Sequence, residues 1–186
     1  MTTIDTTTLD TLIARNDGFA AHQFSAGLHL RPTLDTLIIT CADSRVDPAH
    51  VLGLGLGEAV VLRNIGGRIT PSTLEAMALL GTIAQADGWS PGTPRGGWNL
   101  VVLQHTDCGM TRLVGSLDLL AAYFGIATDD LAAKAVADPY AAVAVDVAAL
   151  KATPALPGGF LVSGFVYDVA TGRLDQVVAP TLLREE

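Results

Sequence analysis

Short apolar runs rich in β-branched residues alternate along the chain with longer stretches of helical periodicity. Each run is too short for a typical helix, and a continuous apolar run of this length is typical of a strand that is buried on both faces. The predicted strands are residues 37–40, 59–62, 100–103, 161–167 and 174–178. The last two flank a turn at residues 170–172, which predicts a C-terminal hairpin.

Helix signals separate these runs. Pro71 opens a helix to about Ala86, and Ser72 with Glu75 forms a capping-box pattern at its start. This helix lies between the second and third strands, so the order strand, helix, strand implies parallel pairing with a right-handed crossover. Asp138 is the predicted N-cap of another helix. The further predicted helices are residues 8–26, 110–124 and 139–151.

These elements predict a single α/β domain over residues 1–186, with a mostly parallel central β-sheet flanked by helices and a C-terminal strand or hairpin. Residues 1–30 are assigned to an N-terminal helical arm. The segment Gly88 to Gly97 is rich in glycine and proline and is interpreted as a surface loop before the third strand, with a lid over the site as the alternative.

Composition narrows the function. Hydrophobic residues make up 49% of the chain, which excludes disorder, and no apolar run approaches the roughly 18–20 residues of a membrane span. The first ten residues are polar and do not resemble a signal peptide, so a cytoplasmic protein is predicted. The net charge of −8 excludes an obvious nucleic-acid or anionic-membrane partner. A small neutral substrate is compatible with that charge.

The chain has two cysteines, Cys41 and Cys108, which by default would be inert buried thiols. However, Cys41 directly follows the first predicted parallel strand, and His105 and Cys108 follow the third. Because the carboxyl ends of parallel strands share one edge of the sheet, these three residues can converge there. Two thiolates and one imidazole leave a fourth zinc position for water, which is typical of a catalytic site. The spacing His-x-x-Cys alone would be weak support.

Asp43 and Arg45 lie just after the first of these ligands. They can form a charge-assisted, bidentate pair, although an ordinary surface ion pair is the alternative. Asp43 is also a candidate fourth metal ligand in a closed state of the site. In that case Arg45 decides where the carboxylate points.

Three segments resemble the signatures of the β-class carbonic anhydrases, namely CADSR at 41–45, RNIGG at 63–67 and HTDCG at 105–109. They occur in the family's order, and GFVYD at 164–168 is also similar to the family. The resemblance implies that Cys41, His105 and Cys108 bind Zn²⁺ and that Asp43 and Arg45 form the catalytic dyad. It also implies a homodimer or homotetramer with the active site near the interface.

The activity implied by the resemblance is zinc-dependent reversible hydration of carbon dioxide to bicarbonate, with hydroxide supplied at the metal. Gln104 and Ile65 depart from the commoner glycine and alanine of the family, and both can shape the pocket. Hydrolysis of carbonyl sulfide or carbon disulfide at the same zinc site is therefore an alternative. A zinc- or thiol-sensing binding protein without catalysis is an alternative of another class, in which the Asp43–Arg45 dyad has no role.

Overall fold

The computed structural model describes residues 6–88 and 97–184. Within them the chain forms one five-stranded sheet of order β2-β1-β3-β4-β5. The strands are β1 (Thr36–Cys41), β2 (Val60–Asn64), β3 (Asn99–His105), β4 (Leu161–Asp168) and β5 (Arg173–Leu182). The first four run parallel, and β5 returns antiparallel to β4. This confirms the predicted single α/β domain with a mostly parallel sheet and a C-terminal hairpin.

The core lies around the central strands. β1 and β3 are buried over almost their whole length, which is why their sequences are continuously apolar rather than alternating. Side chains of three strands pack there against the helix over residues 139–151. The fully buried members of this cluster include Ile39, Leu100, Val102, Val143, Leu150, Val162 and Val166.

The helices are α1 (Thr7–His22), α2 (Pro48–Val51), α3 (Pro71–Ala86), α4 (Leu117–Phe124) and α5 (Pro139–Lys151). The predicted bounds of α3 and α5 are confirmed, as is Asp138, whose side chain accepts hydrogen bonds from the first turn of α5. The predicted capping box of Ser72 and Glu75 is wrong. Thr70 and Thr73 form the box instead, because the cap precedes Pro71 rather than following it.

The predicted helix over residues 110–124 is also wrong in its first half. A 3-10 turn occupies Gly109–Leu113, and α4 begins only at Leu117. Gly115 and Ser116 separate the two, and Ser116 has a non-helical backbone (φ −108°, ψ 63°). Glycine in a helix interior is about 1 kcal/mol less favourable than alanine, so the chain breaks where the sequence permits it most readily.

The helix predicted over residues 8–26 ends earlier, at His22, and none of its residues is buried. None of the described helices is long and apolar enough to cross a membrane. Of the predicted loop from Gly88 to Gly97, residues 89–96 lie outside the described residues, so its interpretation as loop or lid stays a prediction.

Candidate metal centre

The structure brings the three predicted ligands together at one edge of the sheet. Cys41 is the last residue of β1 and His105 the last of β3, and these strands pair in parallel. Cys108 follows in the next turn. The ligand atoms of Cys41, His105 and Cys108 all lie within 4.8 Å of one another, although 67 residues separate the two cysteines.

The geometry of these atoms fits a tetrahedral metal. The two Sγ atoms are 3.8 Å apart. Two thiolates, each about 2.3 Å from a tetrahedral zinc, would also be separated by about 3.8 Å. His105 Nε2 is buried and has no hydrogen-bond partner of good geometry in the part of the chain that the structure describes. A metal would give this atom the partner that burial otherwise denies it.

The other ring nitrogen fixes the tautomer that metal binding requires. His105 Nδ1 lies 2.8 Å from the carbonyl oxygen of Thr106, which can only accept a hydrogen bond. Nδ1 therefore carries the proton, and Nε2, within 4.8 Å of the two sulfur atoms, keeps a lone pair for a metal. Hydrogen bonding of the distal nitrogen is the usual way in which proteins orient a metal-binding imidazole.

The thiols favour a cation as well. The hydrogen bond between the Cys41 and Cys108 sulfur atoms lowers the pKa of Cys41 to about 4, against the opposing effect of burial. The same hydrogen bond raises the pKa of Cys108, because it favours the protonated thiol, and burial raises that pKa further. The backbone N–H of Asp43 also lies 3.4 Å from Cys41 Sγ. Two thiolates this close need a cation between them, so the donor set fits zinc.

Asp43 and Arg45 form the bidentate pair that the sequence suggested. Arg45 Nε lies 3.0 Å from Asp43 Oδ1, and Nη2 lies 2.7 Å from Oδ2. The Arg45 backbone N–H also donates to Oδ1 at 2.9 Å. Oδ2 lies 4.0 Å from His105 Nε2. The carboxylate is therefore beside the metal position but held by the guanidinium.

These contacts fix the charge of Asp43. The side-chain hydrogen bonds from Arg45 hold the pKa of the carboxyl well below its usual range. Asp43 is therefore ionised throughout the neutral range. An ionised carboxylate only accepts hydrogen bonds, so it can orient an O–H group beside the metal but cannot donate to it.

A third residue contacts this dyad and was missed from the sequence. Arg45 Nη1 donates to Asp107 Oδ2 at 2.8 Å, and Nη2 donates to the Asp107 carbonyl at 2.9 Å. Asp107 lies between the predicted ligands His105 and Cys108 in the sequence. The HTDCG segment gave no indication that Asp107 contacts Arg45, because the contact joins two loops separated by 62 residues.

Arg63 supports the backbone around the site. Its Nε donates to the Cys41 carbonyl at 3.0 Å, and its Nη2 donates to the Asp43 carbonyl at 2.7 Å. Asn64 bonds both the N–H and the C=O of Arg68. These side chains hold the loops that carry Cys41 and Asp43 in place.

Gly66 and Gly67 lie in a tight turn directly after β2. Both have a left-handed backbone, with φ of 80° and 65°. A Cβ atom on Gly67 would lie 2.9 Å from the backbone nitrogen of Cys41. Glycine is therefore required on steric grounds directly beside the first ligand.

A buried polar cluster lies behind the ligands and was also missed. Arg68 pairs with Asp146 of α5 (Nε to Oδ2, 2.6 Å), and Gln104 Nε2 donates to the same oxygen at 2.7 Å. With His105 and Cys108, Arg68 and Gln104 line a cavity of about 10 Å³, close to the size of one water molecule. The available signal was Asp146 itself, an acidic residue in the otherwise apolar middle of its helix.

Comparison with known proteins places this geometry in a family. The profile of the carbonic anhydrase family matches residues 36–174. β-Carbonic anhydrase 1 of Mycobacterium tuberculosis is 28% identical over 190 residues, which cover 92% of this chain and 98% of that protein. Carbon disulfide hydrolase of an Acidianus species is 27% identical over 165 residues, or 74% of each chain.

A solved structure agrees with these sequence matches. The carbonic anhydrase of Streptococcus mutans shares 32% identity, with a TM-score of 0.70, over 95% of this chain and 99% of that one. The chain belongs to the β-carbonic anhydrase family. The three signature segments recognised in the sequence lie within the matched residues.

Proposed function

We propose that the protein catalyses the zinc-dependent reversible hydration of carbon dioxide to bicarbonate. The observation that carries the proposal is the convergence, within 4.8 Å, of two thiols and a buried imidazole nitrogen that has no hydrogen-bond partner among the described residues, beside an ion-paired carboxylate. Membership of the β-carbonic anhydrase family supports the same reaction. In this proposal Cys41, His105 and Cys108 are the zinc ligands, and Asp43 with Arg45 is the catalytic dyad.

Cys41, His105 and Cys108 would hold the zinc, which when bound would supply hydroxide near neutral pH by lowering the pKa of water toward about 7. The residues of the chain do the rest. Asp43 accepts a hydrogen bond from the O–H of the nucleophile and so directs its lone pair toward the carbon of the substrate. Arg45 keeps this carboxylate from becoming a fourth ligand. Arg63 fixes the backbone of both Cys41 and Asp43, so the ligand and the carboxylate keep their relative positions.

The first test is metal content together with activity. We expect about one zinc per chain by elemental analysis and measurable carbon dioxide hydration in a stopped-flow assay. Cys108→Ala and His105→Ala should lose most of both. His29→Ala, which removes an exposed histidine, is the matched control and should keep both. Full activity in a protein that contains no metal would refute the proposal.

Hydrolysis of carbon disulfide or carbonyl sulfide is the second candidate, because two relatives that cover 74% of this chain are carbon disulfide hydrolases. The two reactions share the attack on a linear carbon centre, so the zinc site alone does not separate them. The deciding measurement is kcat/KM for carbon dioxide and for carbonyl sulfide on one zinc-loaded preparation. A far larger value for carbonyl sulfide would replace the main proposal with this one.

We also propose that the working unit is a homodimer or a larger homo-oligomer, in the cytoplasm. The support is α1, which has no buried residue and exposes more than half of the side-chain surface of Leu9, Leu12 and Ile13. Such a face needs a partner surface. The cytoplasm is proposed as the location because a reducing compartment would keep the two thiol ligands unoxidised. Light scattering should show at least a dimer, and Leu12→Asp with Ile13→Asp should give a folded monomer. A monomeric native chain at micromolar concentration would contradict this.

A further inference from the structure

Asp107 has an unusual backbone for a non-glycine residue. It lies between two of the proposed ligands, His105 and Cys108, with φ at 50°. Aspartate is tolerated in this left-handed region at some conformational cost. The conformation directs both the carbonyl and the carboxylate of Asp107 toward the same guanidinium, that of Arg45.

Arg45 therefore lies between two carboxylates that come from different loops. Asp43, after β1, takes its Nε and Nη2, and Asp107, after β3, takes its Nη1 and shares Nη2. Beyond Asp107 lies Arg112, whose Nη2 is 3.8 Å from Asp107 Oδ1. The four side chains form a row of alternating charge along the rim of the metal site. Asp107 has no part in the reaction proposed above.

We propose that Asp107 is a positioning residue that anchors Arg45 and thereby favours the state in which Asp43 is paired with Arg45 rather than bound to the metal. The proposal rests on the metal site and dyad of the proposed function. Without the Asp107 carboxylate, Arg45 keeps its bonds to Asp43 and to the backbone carbonyl of residue 107, but Nη1 loses its acceptor and the side chain regains part of its rotamer freedom. It then competes less well with a dication for the Asp43 carboxylate.

The expected effect is modest, because Arg45 and Asp107 expose 45% and 59% of their side chains. Exposed ion pairs change equilibria by about two- to fivefold. A readout of the fourth metal position is therefore better than turnover. In the cobalt-substituted protein, azide binding to that position can be followed by the visible absorption spectrum, and azide must displace Asp43 wherever Asp43 occupies it.

Asp107→Gly is the main variant, since glycine keeps the left-handed backbone and the carbonyl but removes the carboxylate. We expect it to bind azide about two- to fivefold more weakly than the native chain. Asp107→Asn keeps a neutral acceptor and should fall between the two. Asp17→Asn, which removes one negative charge from the exposed helix α1, is the control and should bind azide as the native chain does.

A direct electrostatic effect has the opposite sign, because loss of a negative charge near the metal would tighten the binding of an anion. Repeating the measurement in an Asp43→Ala background distinguishes the positioning effect from the direct electrostatic effect further. There the carboxylate that competes with azide is gone, so Asp107→Gly should no longer weaken azide binding. Tighter or unchanged binding in the native background would overturn the proposal. Equal weakening in both backgrounds, or loss of cobalt from both Asp107 variants, would also overturn it, because Asp107 would then act on the metal-ligand loop itself. Turnover is not measured, so absence of carbon dioxide hydration would refute the proposed function without affecting this result.

Discussion

Two of the arginine–aspartate pairs near the candidate metal site, Arg68–Asp146 and Asp43–Arg45, differ in almost every respect except chemistry. Arg68 and Asp146 are 78 residues apart and expose 2% and 0% of their side chains. Asp43 and Arg45 are two residues apart and expose 17% and 45%. The first pair joins α5 to the loop after β2. The second stands at the rim of the site.

The surroundings of the two pairs explain what each can do. Gln104 donates to Asp146, Arg68 also donates to the carbonyl of Lys134, and the ring of Phe124 lies 4.9 Å below its guanidinium. Because protein groups enclose both charges in this way, the pair is fixed. Asp43, in contrast, has a metal position beside its guanidinium partner. Burial thus separates a pair that holds the fold from a pair whose partner can change.

The buried pair also supports the ligands. Gln104 immediately precedes His105, and Arg68 immediately follows Gly67, which packs against the backbone of Cys41. The pair therefore ties both ligand-bearing strand ends to α5. Substitutions in the buried pair should lower the free energy of unfolding first and the metal content only as a consequence. Substitutions in the exposed pair should not change the free energy of unfolding.

The largest expected effect is that of Arg68→Met. This change leaves the Asp146 carboxylate buried without its counter-ion, and breaking a buried pair from one side costs about 3–5 kcal/mol of the free energy of unfolding. Urea unfolding of the zinc-loaded protein measures it. The double variant Arg68→Met with Asp146→Leu removes both charges and should recover much of the loss. A loss below about 1 kcal/mol for Arg68→Met would show that the pair is not structural.

The loss of stability caused by Arg68→Met should depend on pH in a defined direction. Burial raises the pKa of Asp146 in the native chain, opposed by Arg68. Without Arg68 the pKa must rise further, so the carboxyl takes up a proton in the folded state more readily than in the unfolded chain. A raised folded-state pKa contributes stability at low pH that is lost as pH rises through that pKa. The deficit of Arg68→Met relative to the native chain should therefore be larger at neutral pH than at mildly acid pH.

A smaller loss is expected from Gln104→Leu. The side chain is buried, and its amide donates one of the hydrogen bonds to Asp146 Oδ2. Leucine has a similar volume but removes one of the two side-chain hydrogen bonds to that oxygen, which costs about 1–3 kcal/mol. Gln85→Leu on the exposed side of α3 is the control and should stay within about 0.5 kcal/mol of the native chain. Equal unfolding midpoints for the two variants would show that the amide adds nothing to the buried pair.

The sequence predicted the exposed pair but not the buried one, for a physical reason. Asp43 and Arg45 are near neighbours in the chain, and Cys41, His105 and Cys108 stand at the ends of apolar runs, so strand topology alone brings them to one edge. Arg68 and Asp146 meet only once α5 has packed on the sheet. A contact between residues that are 78 positions apart produces no periodic pattern that could be detected in a single sequence. Asp107 was missed likewise, because its link to Arg45 joins two loops.

Among the elements, those with strong local signals were predicted well. α3 and α5 each begin at a proline, and their predicted and observed bounds agree. The region after Cys108 was predicted poorly. The apolar spacing of residues 110–124 is typical of a helix, but Gly115, Ser116 and the turn that carries Cys108 interrupt it. Local backbone preference prevailed over periodicity there.

The smallest effect on stability, and the sharpest effect on function, is expected from Arg45→Ala. The Arg45 side chain lies at the surface and its loss leaves no buried charge unpaired, so the unfolding curve should be unchanged. Of the three hydrogen bonds that hold the Asp43 carboxylate, only the one from the backbone N–H of residue 45 would remain. That single neutral bond competes poorly with a dication for an ionised carboxylate. We therefore expect zinc content to be retained, carbon dioxide hydration to be nearly abolished, and a crystal structure to show Asp43 as a fourth protein ligand.

In the native chain, activity should rise with pH, because hydroxide and the Asp43 carboxylate compete for one position. Arg45→Lys keeps a charge without the bidentate fork and should be intermediate. If Arg45→Ala instead keeps near-native activity at neutral pH, the exposed pair is as purely structural as the buried one, and the distinction between the two pairs fails.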